Sequence, residues 1–320
     1  MTSTLHHCEH GPHGRDGFRH EALFYAGHAE FLERTAAFVE DGLRAGEPVM
    51  VALPAVRLEL LRAALGEGAG SVTFAAMEDI GRNPARIIPA WQDFVDLHRA
   101  SGRPFRGIGE PIWSTRSAEE LVECQLHEIL LNVAFTGGPA WRLLCPYDAE
   151  SLSADVLDEA RRSHPYLHDA EGEVSSTTFA DRSGPEVFAG TLPDPPPGTP
   201  ELAFDAGSLP LVRRSVSGWA AAALPPALAR DFVLAVHEVA TNSVRHGGGL
   251  GTVRCWSDGD GFVCEVRDMG RLQRDLVGRV IPPADVEAGR GLWLANQLCD
   301  LVQLRSTSGG TVVRLRISPN

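Results

Sequence analysis

No stretch of this chain approaches the run of about 18 apolar residues that a membrane-crossing helix needs. Its amino terminus is polar and lacks the apolar core of a secretory signal. The expectation is a cytoplasmic protein without membrane association. Positive charge is scarce, with 29 basic residues against 42 acidic ones and a formal net charge of −13. That balance speaks against direct contact with nucleic acid or an anionic membrane, where basic patches are expected. It leaves proteins and small molecules as partners. Cysteine is sparse too: Cys8, Cys124, Cys145, Cys255, Cys264 and Cys299 include no CxxC pair. A disulfide framework is not indicated, and reduced, mostly buried thiols are expected.

With 320 residues, 43% of them apolar, the chain has room for roughly two packed domains. His6, His7, Cys8, His10 and His13 crowd the first 19 residues. A mobile tail with incidental affinity for metals is the plainer reading, since no apolar anchor accompanies them.

From residue 20 to 167 short apolar runs alternate with amphipathic ones. Ala22–Ala26, Pro48–Leu53, Ser71–Met77, Phe105–Trp113 and Trp141–Cys145 read as strands. Helix patterns lie between them, with start signals at Asn83-Pro84, Ser117 and Ser153. This alternation predicts an α/β domain with a mostly parallel sheet covered on both faces. Neither GxxxxGK[ST] nor GxGxxG follows any of its strands, which speaks against nucleotide hydrolysis there. A ligand of such a sheet sits beyond the carboxyl ends of the strands. The candidates placed there are His20, Tyr25, Glu110, Trp113, Glu128 and Tyr147.

Residues 168–200 are polar and end in Leu192-Pro193-Asp194-Pro195-Pro196-Pro197, which reads as a semi-rigid linker. Residues 201–320 then read as an α+β domain: a strand, two helices, a hairpin across Asp258–Gly261, an irregular stretch, a helix and a last hairpin.

The chemistry concentrates in this second domain. Glu238, Asn242 and His246 are spaced four apart, which stacks a carboxylate, an amide and an imidazole on one helix face. Such a face can hold a hydrated Mg²⁺ and orient a reacting hydroxyl. Asp268-Met269-Gly270 follows at a strand end, where a carboxylate can accept from an exocyclic amine and glycine lets a flat ring approach. Gly289-Arg290-Gly291-Leu292 opens a helix, a ready anion site. Gly310-Thr311 enters the last strand, its hydroxyl placed to support a base.

In this order the motifs resemble the GHKL-type ATPase domain, and more closely the anti-sigma-factor serine kinases of the RsbW and SpoIIAB type. The resemblance implies ATP and Mg²⁺ as ligands. Asn242 would hold the metal, Glu238 would act as catalytic base, and Arg245 or His246 would neutralise phosphate. Asp268 with Gly270 would read adenine, Thr311 would support it, and Gly289, Arg290, Gly291 and Leu292 would wrap the phosphates. The stretch 271–288 corresponds to the ATP lid. Residues 20–167 resemble the MEDS sensory domain, through His20–Tyr25, Arg82–Arg86, Gly109-Glu110-Pro111, His127-Glu128 with Asn132, and Cys145–Asp148. Together they look like a two-domain anti-sigma regulator, implying a sigma factor and a STAS-type antagonist as partners, a signal at the first domain, and a homodimer.

The resemblance departs at one position. Leu272 stands where the family's first glycine box usually has a second glycine. Glu238 therefore favours a protein serine kinase, while Leu272 favours a nucleotide-binding scaffold without turnover. A sensor histidine kinase would need a helical hairpin carrying a phosphoacceptor histidine ahead of the ATPase domain, and only the linker and one helix lie there.

Overall fold

The computed structural model describes residues 17–169, 172–259, 261–282 and 290–319. The clustered His6, His7, Cys8, His10 and His13 lie outside the described residues, as does Gly289.

The first half runs β1 (Phe18–Tyr25), α1 (Gly27–Ala45), β2 (Val49–Leu53), α2 (Ala55–Leu65), β3 (Val72–Ala76), α3 (Met77–Ile80), α4 (Ile87–His98), β4 (Phe105–Gly109), α5 (Ala118–Phe135), β5 (Trp141–Asp148), α6 (Ala154–Ser163), β6 (Tyr166–Asp169) and β7 (Gly172–Ser175). Its seven strands lie in the order β3-β2-β4-β5-β1-β6-β7. All neighbours are parallel except the closing β6–β7 pair. Every residue of β2 and β4 is buried, as a parallel sheet covered on both faces requires. Side-chain alternation assigns the faces. Leu23, Tyr25, Val51 and Leu144 pack against Phe31 and Val39 of α1 and Leu58 and Leu61 of α2. Ala22, Met50, Cys145 and Tyr147 pack the other way, with Trp91 of α4 and Leu130 and Leu131 of α5. Helix α5 starts with a full capping box: the Glu120 N–H donates to Ser117 and the Ser117 N–H to the Glu120 carboxylate.

The second half runs β8 (Glu201–Phe204), α7 (Leu209–Ala223), α8 (Pro226–His246), β9 (Gly251–Asp258), β10 (Gly261–Asp268), α9 (Arg290–Leu298), β11 (Leu301–Thr307) and β12 (Gly310–Ile317). Its sheet, β11-β12-β10-β9-β8, is antiparallel throughout. One face carries Val253, Cys264, Val266 and Leu315 against Val216 of α7, Phe232 and Val239 of α8 and Ala295 of α9.

The stretch from 168 onward is more than a spacer. It completes β6, adds β7 to the first sheet, and continues to a 3-10 turn at Pro185–Phe188 whose Phe188 is fully buried beside β11. The polar composition of the hairpin residues concealed a strand pair at a sheet edge. One cluster of buried apolar residues runs through both halves, while the face of the first sheet under α1 and α2 has a core of its own. No helix among the described residues is long and apolar enough to cross a membrane.

Candidate functional site

Helix α8 begins on Pro226 and stops where Gly247, Gly248 and Gly249 begin, the last two at φ 90° and 85°. Glu238 and Asn242 lie one turn apart on it, half-buried. Neither side chain makes a hydrogen bond or ion pair to another described residue. Both converge on Gly291 at the start of α9. A Cβ there would sit 2.7 Å from Asn242 Nδ2 and 3.2 Å from Glu238 Oε2. Two unspent polar groups thus meet at a helix N-terminus over a space that a single Cβ would crowd.

The far end of α8 meets Asp268. Its Oδ2 accepts from Ser243 Oγ at 2.6 Å and its Oδ1 from the Gly270 N–H at 2.8 Å. Glycines surround it: a Cβ on Gly247 would fall 2.3 Å from Asp268 Cγ, and one on Gly310, at φ 114°, 2.1 Å from the Asp268 carbonyl. Thr311 Oγ1 donates to the Gly270 carbonyl at 2.8 Å and meets Ser306 Oγ at 3.1 Å, so it braces the backbone that follows Asp268. Leu272 is tied in beside it, its N–H donating to Ser306 Oγ at 3.1 Å. Leu292 is half-buried, whereas Arg245, His246 and Arg290 are exposed. Ser243 went unnoticed in the sequence. The signal was there, since it follows Asn242 and so turns toward the sheet rather than along the Glu238–Asn242 face. The chain contains no lysine, so arginine and histidine are its means of meeting phosphate charge.

The six candidates of the first sheet separate into distinct places. Tyr25 and Glu110 lie at the carboxyl ends of β1 and β4, as expected. Tyr25 Oη is 3.4 Å from Glu110 Oε1, and Glu110 is ion-paired to Arg57, which also reaches Asp148 at 3.1 Å. Burial pushes the Tyr25 phenol up to about 12. Trp113 is half-buried beneath Arg116, whose guanidinium carbon lies 3.9 Å from the ring centroid. Arg116 is spent on the Pro111 and Gly81 carbonyls, a structural role.

His20 and Glu128 do not lie at the strand carboxyl ends. His20 is the third residue of β1 and Glu128 is mid-way along α5. They meet across the sheet–helix interface, His20 Nε2 lying 2.9 Å from Glu128 Oε2. Tyr147 is buried close by, its ring centroid 5.6 Å from that of His164. Burial and the neighbouring His164 lower His20 to about 4. Glu128 is driven the opposite way: burial opposes its charge, but the His164 and His20 imidazoles that face it hold the carboxyl far below its usual range.

Two family models match the chain. Residues 19–165 match the family described as MEDS, the methanogen/methylotroph, DcmR sensory domain. Residues 202–317 match the histidine kinase-like ATPase domain. The chain joins a MEDS domain to a histidine kinase-like ATPase domain. No curated protein matches it. Among solved structures it is similar to the RsbU and RsbW domains of Rv1364c from Mycobacterium tuberculosis, at 22% identity and a TM-score of 0.28, over 38% of this chain and 32% of that one. The chain therefore spans about a third of the length of that relative.

The MEDS domain grips the ATPase domain at the segment that precedes α9. Glu123 of α5 is buried, with Arg305 Nη2 2.7 Å from its Oε1 and Arg279 Nη2 3.3 Å from its Oε2. Asn83 Nδ2, also buried, donates to Asn296 Oδ1 and the Asn296 carbonyl, each at 3.1 Å. Asn296 in turn donates to the Gly278 carbonyl at 2.8 Å. Residues 278 and 279, in the segment ahead of α9, are thereby fastened both to α9 and to the sensory domain.

Proposed function

We propose that this chain is a cytoplasmic, sensor-controlled ATP-binding regulator of the anti-sigma type. It would sequester a sigma factor as a homodimer and phosphorylate a serine of a small STAS-type antagonist. The observation that carries the reading is the convergence of the unspent Glu238 and Asn242 side chains on Gly291 at the α9 N-terminus. A cradle that a single Cβ would fill, one amide oxygen and one carboxylate suit Mg²⁺ and a triphosphate.

In this reading Asn242 holds the metal, which supplies charge neutralisation at the phosphates. The backbone N–H groups at Gly291 and Leu292, with the Arg290 guanidinium, receive phosphate oxygens at the positive end of α9. Asp268, oriented by Ser243 and the Gly270 N–H, accepts from the adenine amine. Thr311 keeps the Gly270 backbone in place beneath the base, and Arg245 and His246 meet outer phosphate charge. Glu238 takes the proton from the attacking serine hydroxyl as the γ-phosphoryl passes to that oxygen and ADP leaves. Most of the effect in such transfers is positioning and charge stabilisation, so these groups suffice.

A specific observation favours a second reading, an ATP-binding scaffold without turnover. Leu272 is docked onto Ser306 and Arg279 is buried against Glu123, which holds the lid away from free closure. The two readings separate in one experiment. The kinase reading expects label from γ-labelled ATP on a STAS partner, abolished by Glu238→Ala while Mg-ATP still raises the melting temperature. Absence of transfer with intact nucleotide binding selects the scaffold. Absence of any Mg-ATP stabilisation, in the wild type as in Asn242→Ala, overturns both.

A further inference from the structure

The side chains of His20, Glu128, Cys145 and His164 converge inside the MEDS domain between β1, β5, α5 and the residue that follows α6. All four are buried, and their ligand-capable atoms lie within 4.8 Å of one another. From Glu128 Oε2, His20 Nε2 is 2.9 Å away, His164 Nε2 3.3 Å and Cys145 Sγ 3.6 Å, and Cys145 Sγ is 3.4 Å from His20 Nε2. A tetrahedral ion with bonds of about 2.0–2.3 Å has ligand–ligand edges of about 3.3–3.8 Å. The cluster is therefore already close to the size of a coordination shell.

The hydrogen bonds around it fix which atoms point inward. Asn132 Nδ2 donates to the Ser163 carbonyl at 2.9 Å, so its Oδ1 faces His20 Nδ1 at 3.2 Å and must accept from it. His164 Nδ1 lies 2.8 Å from the Ala160 carbonyl, which can only accept. Both imidazoles thus carry a proton on Nδ1 and, when neutral, present the Nε2 lone pair to the same carboxylate oxygen. Lone pairs facing a carboxylate at these distances repel unless a cation stands between them. His164 Nε2 and Glu128 Oε1 are buried with no hydrogen-bond partner, and so is the neighbouring Tyr147 hydroxyl. An imidazole whose Nδ1–H is held by a carbonyl or amide oxygen is the usual outer arrangement of a metal-ligating histidine.

We propose that His20, Glu128, Cys145 and His164 bind one divalent transition-metal ion of the zinc class. Two nitrogens, a thiolate and a carboxylate oxygen form a four-ligand, closed site, and the mixed donor set suits Zn²⁺ or the metals that replace it, over Mg²⁺ or Ca²⁺. Binding expels the Cys145 proton, so the ion, the thiolate and the carboxylate balance in charge.

The test uses the full chain with His6, His7, Cys8, His10 and His13 replaced, so that metal held by those residues is not counted. The probe is Co²⁺ added to chelator-treated protein, with Zn²⁺ as competitor. The expected result is one equivalent bound per chain, a tetrahedral cobalt spectrum with a sulfur-to-cobalt charge-transfer band, and its displacement by Zn²⁺. Cys145→Ser loses that band. Asn132→Ala, which leaves all four ligands in place, weakens binding roughly ten- to a hundred-fold. No cobalt spectrum in the parent protein, a charge-transfer band that survives Cys145→Ser, or binding that disappears with the amino-terminal replacements overturns the proposal.

Discussion

Glu123 and Arg279 form a buried ion pair between the MEDS domain and the segment leading into α9, with Arg279 Nη2 3.3 Å from Glu123 Oε2. Arg305 of β11 completes a triad on the same carboxylate. Two buried guanidiniums share one counter-charge, and burial already lowers the Arg279 pKa. Removing the carboxylate leaves both cations uncompensated, a loss of about 3–5 kcal/mol for a buried pair. Glu123→Gln is therefore expected to lower the unfolding free energy by several kcal/mol and to speed amide exchange across 271–282. Replacing Glu123, Arg279 and Arg305 together by methionine is expected to recover the stability while the exchange stays fast. Denaturant titration and hydrogen-exchange mass spectrometry measure both. Unchanged protection of 271–282 in Glu123→Gln would show that the triad does not restrain that segment.

Gly291→Ala separates binding from folding. The residue is inside α9, where alanine is the better helix former by about 1 kcal/mol. Its new Cβ falls on a flexible side-chain amide, 2.7 Å from Asn242 Nδ2, so the fold tolerates it. The space it fills is the one assigned to the metal and phosphates. The expected outcome is a melting temperature within a few degrees of the wild type and Mg-ATP affinity reduced at least tenfold, about 1.4 kcal/mol. Calorimetry with unchanged affinity would move the phosphate site away from the α8–α9 junction.

Asp268 offers a test of base recognition. Its carboxylate is aimed by Ser243 Oγ at 2.6 Å and the Gly270 N–H at 2.8 Å, each bond worth about 1 kcal/mol. If the remaining acceptor capacity reads the adenine amine, the protein binds ATP more tightly than inosine triphosphate, which lacks that donor. Asp268→Ala is expected to abolish the preference and Ser243→Ala to narrow it. Equal affinities for the two nucleotides in the wild type would remove Asp268 from that role.

How far these features were legible in the sequence follows from how locally they are written. Glu238 and Asn242 share a helix face because of their spacing alone, and Asp268 and Gly291 stand in recognisable strand-end and helix-start contexts. The parallel sheet was legible from alternation, down to Ser117 and Glu120 at the start of α5. What was not legible depends on register between distant segments. His164 reads as an ordinary helix end until β1 and β5 pair and bring His20 and Cys145 beneath it. Glu123 looks like a solvated charge on an amphipathic helix until it meets Arg279 and Arg305, 156 and 182 residues away. Strand β7 escaped because its residues are polar and it pairs only with β6, at the edge of the sheet.

The acid sensitivity of the MEDS domain has an identifiable source in Glu21. Its carboxylate is fully buried on β1 and accepts from Arg142 Nε and Nη2 at 2.6 Å each, with His168 Nε2 at 2.7 Å. Burial alone raises its pKa, but the hydrogen bonds and charges of Arg142 and His168 win and lower it from 4.5 to about 2. A depressed carboxylate stabilises the fold fully above its unfolded pKa and loses that contribution as pH falls through the folded value. The window is therefore from about pH 4.5 down to about pH 2, and a shift of that size corresponds to roughly 3 kcal/mol. Glu21→Gln keeps the shape and removes the charge. At pH 7 it is expected to be less stable than the wild type by about that amount, and the gap is expected to close progressively below pH 4.5. Urea titrations of both proteins between pH 7 and pH 2.5 measure the gap. A gap that stays constant across the window would mean that the Arg142–Glu21–His168 network contributes through packing rather than charge.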